Sequence, residues 1–405
     1  MKNRRNRILS CVLCAALLTG SMAVLPAAAE DSASVSIGDV NADSSVNAID
    51  ATEVLIAAAA AGTDSKSPFT DAQKTAADVN ADGIINANDA TEILAYAAYH
   101  GVSSKMTPQE FFAQYREPQE LAYSEQVLSD LRGVSNARQL GGYINRDGKA
   151  IKQNVVLRTG SLAHATDSAK DALVNKYHVS DIMDFRYERE LNPNTQDPEI
   201  EGITHHNIAM APTGNIGSYF KDHPEDYTKL QQMQQQAGKT GDVTDLSIFQ
   251  AEIGMITVDG FIKYFESDEA AEGYREAFKV LLNKPEDAAV LFHCSGGKDR
   301  TGMVSMLLLT ALDCDRDLIV QDYMLTNEAN AEKIEKHAAA LKERTDDEKI
   351  RYNALYSQYA VYQEVIETIM DDLTAEYGSV NDYLRKKIGL TDEDFAKLKA
   401  LYLEG

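Results

Sequence analysis

Residues His293 to Gly302 read His-Cys-Ser-Gly-Gly-Lys-Asp-Arg-Thr-Gly, and no other stretch limits the possible folds so tightly. An apolar run, Ala288 to Phe292, leads in, and another, Met303 to Ala311, follows. That order predicts a buried strand, a glycine loop and a buried helix. Five residues separate Cys294 from Arg300. A loop of this length curls into an anion nest, its backbone N–H groups aimed at one centre at the positive end of a helix. Gly296 and Gly297 permit the curl, and Arg300 can hold two phosphate oxygens bidentately. The same dipoles and Arg300 favour Cys294 as a thiolate. A thiolate at the base of a phosphate-sized cup is a nucleophile for phosphoryl transfer.

With its His before the Cys, its Thr after the Arg and Lys298-Asp299 inside the loop, the string resembles the bacterial tyrosine phosphatase family, which overlaps with phosphoinositide phosphatases. The resemblance implies an α/β fold, with a central, mostly parallel sheet flanked by helices. Asn136-Ala-Arg138-Gln-Leu-Gly-Gly-Tyr143 resembles the motif that opens the family's domain, with Gln139 where Asp often stands. Val155 to Leu162, which contains Arg158, corresponds to a strand that lies beside the family's active site. Ile182 to Glu190 resembles Asp-Leu-Arg-x-x-x-Glu, with Asp184, Phe185 for Leu, Arg186, and Glu190 as the acidic residue. Asp322-Tyr-Met-Leu-Thr-Asn327 resembles Asp-Tyr-Leu-Leu-Ser-Asn.

The implied roles follow residue by residue. Cys294 is the nucleophile and Arg300 the transition-state clamp. Asp184 is the first candidate for general acid and Asp299 the second. His293, Ser295, Gly296, Gly297, Lys298, Thr301 and Gly302 line or order the substrate cup, with help from Arg158 and Arg186. Thr301 is expected to donate to the Cys294 thiolate, and Asp322 and Asn327 to hold the loop. Lys298 adds charge suited to a multiply phosphorylated ring. No metal is needed for this chemistry.

Nearer the N-terminus, two copies of one segment lie 39 residues apart. Each contains an EF-hand-type loop of hard oxygens at alternate positions, the ligand pattern of Ca²⁺. The first offers Asp39, Asn41, Asp43, the Ser45 carbonyl, Asn47 and Asp50. The second offers Asp78, Asn80, Asp82, the Ile84 carbonyl, Asn86 and Asp89. Helices are expected over 51–61 and 90–99. Duplicated loop–helix pairs closing on Asp rather than Glu resemble dockerins, the modules that plug enzymes into cohesin domains of cellulosomal scaffoldins. Ser44 stands where the second loop has Gly83, so the first site should bind more weakly.

Residues 1–29 read as a secretory signal: Lys2, Arg4, Arg5 and Arg7, an apolar run from Ile8 to Leu25, then Ala27-Ala28-Ala29. Its removal takes four positive charges and no negative ones, so the net charge goes from −24 to −28. No membrane span is then expected, and so acidic a body argues against nucleic acid as a partner. Only Cys294 and Cys314 remain, enough for one disulfide at most.

The expected division is a dockerin over 36–101, a linker over 102–131 with a helical stretch from Pro108 to Tyr115, and a catalytic domain over 132–405. An irregular insertion over 212–258 reads as a lid. Further helices are expected over 261–282, 328–344 and 352–377. The adjacent His205 and His206 would face opposite sides of a strand and so not share a metal. Taken together, the chain reads as a secreted, cellulosome-associated hydrolase at the cell surface, acting on protein phosphotyrosine through a phosphocysteine. The alternatives are an inositol-phosphate or phosphoinositide phosphatase, and a non-catalytic phospho-ligand binder carried on a scaffoldin.

Overall fold

The computed structural model describes residues 36–61, 68–81, 83–102, 106–112, 119–211 and 216–404. The expected secretory segment and Asp82 lie outside these residues.

The N-terminal module is helical: α1 (Ala48–Ala61), α2 (Asp71–Ala77), α3 (Ala87–Val102) and α4 (Pro108–Phe112). Helices α1 and α3 begin three residues earlier than expected. The Asp that closes each loop accepts from a backbone N–H ahead of it, Asn47 to Asp50 and Asn86 to Asp89, each 2.9 Å. The first helical turn is therefore wound inside the loop. Phe111 and Phe112 on α4 pack with Ile37, Val40, Val54, Val79, Ile93 and Tyr96. A Cβ on Gly38 would stand 2.6 Å from the Phe112 ring, so the glycine makes room for it. The stretch expected to be linker thus completes the core of the N-terminal module.

On the other side, Gln119 donates to the Gly142 carbonyl and accepts from the Ile144 N–H. Leu128 and Leu131 are buried against Leu157 and Leu291. The α/β body therefore includes Gln119 to Leu131, which also departs from the expected division.

Its sheet has five strands: β1 (Arg138–Gln139), β2 (Val156–Thr159), β3 (Val179–Asp184), β4 (Thr204–Asn207) and β5 (Ala289–His293), in the order β1-β2-β5-β3-β4. Only β1 is antiparallel to its neighbour. The apolar run before the catalytic string forms the central strand. Alternation sends Val290 and Phe292 to one core and Ala289 and Leu291 to the other. Register places Thr159, Asp184 and His293 in one row at the carboxyl ends of the strands, where open α/β sheets build their sites.

Around the sheet lie α5 (Tyr123–Gln126), α6 (Asp167–Asn175), α7 (Ile216–Asp222), α8 (Pro224–Thr240), α9 (Thr244–Glu252), α10 (Val258–Phe265), α11 (Asp268–Asn283) and α12 (Asp299–Ala311). They are followed by α13 (Arg316–Ala329), α14 (Ala331–Arg344), α15 (Glu348–Gln358), α16 (Gln363–Tyr377), α17 (Val380–Tyr383) and α18 (Asp392–Tyr402). Helix α12, buried along nearly all its length, follows the catalytic loop.

Three helical expectations change. The insertion is mostly regular, as α7 to α9, and α9 buries Phe249 and Ser247. The helix expected over 261–282 is broken, because Ser267 accepts from the Ala270 N–H and caps a new helix. The helix expected over 352–377 ends at Gln358 and restarts at Gln363. Cys294 and Cys314 sit at opposite ends of α12, whose 13 residues span about 20 Å. They are both free, beyond the ~7 Å reach of a disulfide.

Candidate active site

β5 delivers Cys294, 3 % exposed, to the start of the loop. Three consecutive loop carbonyls are tied to the protein body. Ser295 O accepts from Ser161 N at 3.1 Å. Gly296 O and Gly297 O accept from Asn136 Nδ2 at 3.3 and 2.8 Å, and Gly297 O also from Arg158 Nη2 at 3.0 Å. Among the described residues no peptide bond is cis, so each loop N–H points opposite the preceding carbonyl. The N–H groups of Gly296, Gly297 and Lys298 are thereby turned to the free side of the loop, and none donates to another described residue. Gly297 has φ +64°, and a Cβ there would lie 2.5 Å from the Thr159 backbone. Gly302 is needed for a different reason: a Cβ would meet the Tyr323 ring at 2.7 Å.

Beneath the loop lies a buried charge network. Asp322 accepts from Arg158 Nη1, from Arg138 Nε at 3.1 Å and from the Tyr143 hydroxyl at 3.0 Å. Arg138 in turn donates to Asn136 Oδ1, orienting the amide that holds Gly297. Burial works to raise the Asp322 pKa, but the charges of Arg158 and Arg138 prevail and lower it. Burial, then the like charge of Arg138, brings Arg158 down to about 10. Arg158 is fully buried, so the expected substrate contact is corrected to a strut under the loop. Asp322 holds the loop as expected, through the two arginines. Asn327 does not: it pairs with the backbone of Val361, at 2.9 and 2.8 Å.

Arg300 follows at the first turn of α12. Its Nη1 lies 2.6 Å and its Nη2 2.8 Å from the two oxygens of Glu190. Nη1 also reaches the carbonyls of Phe185 and Met210. Burial works against the guanidinium charge, but Glu190 and Cys294 lift its pKa above the ordinary value. Ser295 Oγ donates to the same carboxylate at 2.7 Å. Burial would raise the Glu190 pKa, yet Arg300 and Ser295 bring it below the usual value.

Asp184 and Arg186 pair with each other. Arg186 donates from Nε and Nη2 to the two Asp184 oxygens at 2.9 and 2.8 Å, and from Nη2 to Asp197 at 2.6 Å. Arg186 is buried, so it does not line the cup as expected. Asp184 receives N–H groups on both oxygens, which corrects its expected place as first candidate for the acid. Asp197, unmarked in the sequence reading, lies 3.0 Å from His293 Nε2, while His293 Nδ1 is 3.2 Å from the Cys294 carbonyl. Asp184, Asp197 and His293 are close enough to suggest a metal triad, but the Arg186 guanidinium already bonds both carboxylates. His206 pairs with Asp181 at 2.7 Å.

Lys298 departs most from expectation. It is 3 % exposed and leaves the cup. Its ammonium donates to the carbonyls of Tyr356 and Ala360, the latter at 2.9 Å, and lies 4.3 Å from the Tyr356 ring centre. Both carbonyls sit where the expected long helix breaks, so an orphan helix-end acceptor takes the cation. Asp299 Oδ2 is 3.3 Å from the same ammonium, and Asp299 Oδ1 is buried without a hydrogen-bond partner. The Thr301 hydroxyl is also buried and unpartnered, so the expected bond to Cys294 is not formed.

In the N-terminal module, both EF-hand-type loops are wound alike. Asp50 Oδ1 accepts from Val40 N at 2.8 Å and Asp89 Oδ1 from Val79 N at 3.0 Å. Ser44 has φ +69° and its counterpart Gly83 +77°. The hard-oxygen donor set on a curled backbone fits Ca²⁺.

Comparison with known proteins agrees with both parts. The profile described as "Tyrosine phosphatase family" matches residues 129–404, and "Dockerin type I domain" matches 37–96. A provisionally named tyrosine-protein phosphatase of Cupriavidus necator is 27 % identical over 67 % of this chain and 87 % of its own length. The triple specificity protein phosphatase PtpB of Mycobacterium tuberculosis is 24 % identical over 64 % of this chain and 93 % of its own. With the loop, its arginine and the flanking motifs on one sheet edge, the chain belongs to the tyrosine phosphatase family and carries a type I dockerin domain ahead of its phosphatase domain.

Proposed function

We propose that this phosphatase is secreted, is held on a cellulosome by its dockerin, and hydrolyses phosphotyrosine in proteins through a phosphocysteine. The observation that carries the reading is the cup itself: three N–H groups freed by carbonyls tied from behind, with Cys294 and Arg300 at its two ends. The Cys294 thiolate attacks phosphorus as the ester P–O bond breaks. The loop N–H groups and Arg300 take the charge of the equatorial oxygens. Asp299 gives a proton to the leaving oxygen, since Asp184 is committed to Arg186. Water then attacks the phosphocysteine, Asp299 takes the proton, and phosphate leaves as the thiolate is restored.

The withdrawal of Lys298 weighs against the inositol-phosphate alternative, because of the two cations in the loop string it leaves only Arg300 near the cup. The Cys294/Arg300 pair weighs against a purely binding role. Turnover of a phosphotyrosine peptide, inositol hexakisphosphate and phosphatidylinositol phosphates by wild type and Cys294→Ser tests the reading. Activity surviving in Cys294→Ser would overturn the thiolate mechanism, and preference for the inositol substrates would overturn the substrate class.

For the dockerin, Asp39, Asn41, Asp43, the Ser45 carbonyl, Asn47 and Asp50 would hold one Ca²⁺. Asp78, Asn80, Asp82, the Ile84 carbonyl, Asn86 and Asp89 would hold the other. The ion supplies folding energy to the module and no chemistry to the cup. Calorimetry against a type I cohesin, with and without chelator, tests the docking; equal binding in chelator would sink it.

A further inference from the structure

We propose that the free edge of β4 is a docking groove for an extended, basic segment of the protein substrate. This deepens the reading of a phosphotyrosine protein as substrate and rests on it. β4 is an outer strand of the sheet, next to β3 alone. The Ile208 N–H donates inward to Asp184 O at 2.8 Å and the Met210 N–H to Phe185 O at 3.1 Å. Extended backbone alternates with a period of two, so the N–H and carbonyl groups of His205, Asn207 and Ala209 point away from the sheet. None of them is hydrogen-bonded to another described backbone group. Asn207 and Ala209 are exposed. Such a row of open donors and acceptors is a template for one more strand.

Helix α11 walls this edge and makes a groove of about 760 Å³. Gly273 lets the wall come close, because a Cβ there would stand 2.7 Å from the Met210 side chain. Glu269, Glu272 and Glu276 line the groove from one face of α11, and Asp181 lines it from β3. Against these four carboxylates the lining holds one ammonium, that of Lys279. Lys279 pairs with Glu276 at 2.6 Å, and His206 with Asp181 at 2.7 Å. The balance favours a cationic partner and repels free phosphate and anionic lipid. It also repels a second copy, whose own α11 would bring the same carboxylates. These carboxylates are not among the groups close enough to share a metal ion. An extended chain bearing Lys or Arg fits both walls: its backbone pairs with β4 and its side chains reach α11.

The groove also lies in line with the cup. Asn207, Asp184 and His293 are in register on β4, β3 and β5. A strand added outside β4 would lie three strand spacings, about 14 Å, from His293. About four extended residues cover that distance. Beyond Asn207 the same stretch reaches Met210, whose carbonyl accepts from Arg300 Nη1 at 3.1 Å. The docked segment therefore flanks the phosphotyrosine in the substrate chain, about four residues or more away.

The test uses the full chain and phosphotyrosine peptides of equal length whose flanks carry Lys, Ala or Glu. KM for the Lys peptide is expected about tenfold below that for the Glu peptide, with kcat within about twofold, the effect of a few exposed charge pairs. The combined variant Glu269→Gln, Glu272→Gln, Glu276→Gln should erase that difference. It should leave kcat and KM on p-nitrophenyl phosphate unchanged. N-methylation at alternate flank positions removes donors to the β4 edge and should raise KM of the Lys peptide about fivefold. No difference between the peptides in wild type, or a difference that survives in the combined variant, would overturn the inference. N-methylation without effect would overturn docking as a strand. A dimer in sedimentation that excludes the peptide would give the edge to a second copy and overturn it as well. Fluorescence anisotropy of the unphosphorylated Lys peptide separates the two layers. If p-nitrophenyl phosphate is turned over and no phosphotyrosine peptide is, the substrate reading fails, and binding of this peptide by wild type but not by the combined variant still supports the groove. If the phosphotyrosine peptides are turned over and this peptide binds wild type and variant alike, only the groove fails.

Discussion

The Glu190 carboxylate takes both terminal nitrogens of Arg300, 2.6 Å from Nη1 and 2.8 Å from Nη2. A bidentate pair of this kind fixes the plane of the guanidinium before any ligand arrives. It also explains why an acidic residue closes the motif that begins at Asp184. Glu190→Gln keeps an acceptor and loses the charge. A charged hydrogen bond contributes about 1.5–3 kcal/mol, so kcat/KM should fall about 10- to 100-fold, with Cys294 still alkylated at a similar rate. Steady-state kinetics beside thiol labelling checks this. The folded Glu190 pKa lies below its free value, so its share of stability is present above pH ~4.5 and lost as pH falls through the folded value.

The buried network under the loop predicts a stability effect. Asp322→Asn would leave Arg138 and Arg158 in the core without their anion. Loss of one partner of a buried pair costs about 3–5 kcal/mol. Denaturant titration should show a loss of that size, together with lower activity because Gly297 loses its strut. A change under 1 kcal/mol, taken as about the worth of a surface pair, would mean water reaches the network.

Glu266 gives a pH prediction of opposite sign. Burial first, and the neighbouring Asp372 charge second, push its pKa up to about 7. A carboxyl raised in the folded state favours folding while it is protonated, and that advantage is lost as pH climbs from ~4.5 through ~7. Because the group is partly exposed, solvent screening cuts the effect to about 1 kcal/mol. Glu266→Gln should therefore melt higher than wild type at pH 8 and no higher at pH 4. Thermal melts at the two values check it.

In the dockerin, Ser44 holds a left-handed φ of +69°. That conformation costs an L-residue about 1–2 kcal/mol. Nothing lies within 4 Å of a Cβ at the equivalent Gly83, so the cost at Ser44 is one of backbone shape and not of space. Ser44→Gly should tighten Ca²⁺ at the first loop roughly fivefold or more. Calcium titration of the full chain, with Gly83→Ser as the reciprocal variant, checks this.

Much of the molecule could be read in advance where function is written into adjacent residues. The Cys294–Arg300 spacing, its two glycines and its apolar flanks specify a strand–cup–helix, because a phosphate nest is a local backbone shape. The duplicated loops specify a curled, oxygen-rich turn of the kind that suits Ca²⁺ for the same reason: their oxygen-bearing residues alternate along one turning chain.

What only the tertiary structure decided is where long charged side chains end. Lys298, Arg158 and Arg186 all read as cations for phosphate, and each is instead consumed by partners distant in sequence: the Tyr356 and Ala360 carbonyls, Asp322, and Asp197. Neither pattern nor spacing reveals such partners, because a flexible side chain goes to whichever buried acceptor most needs a charge. The same holds for the acid. In the sequence Asp184 ranks ahead of Asp299, and the Arg186 guanidinium weighs against that order by bonding Asp184 and not Asp299. The helix break at Gln358 was hidden too: the carbonyls near it, Tyr356 and Ala360, are met by the ammonium of Lys298, more than fifty residues upstream.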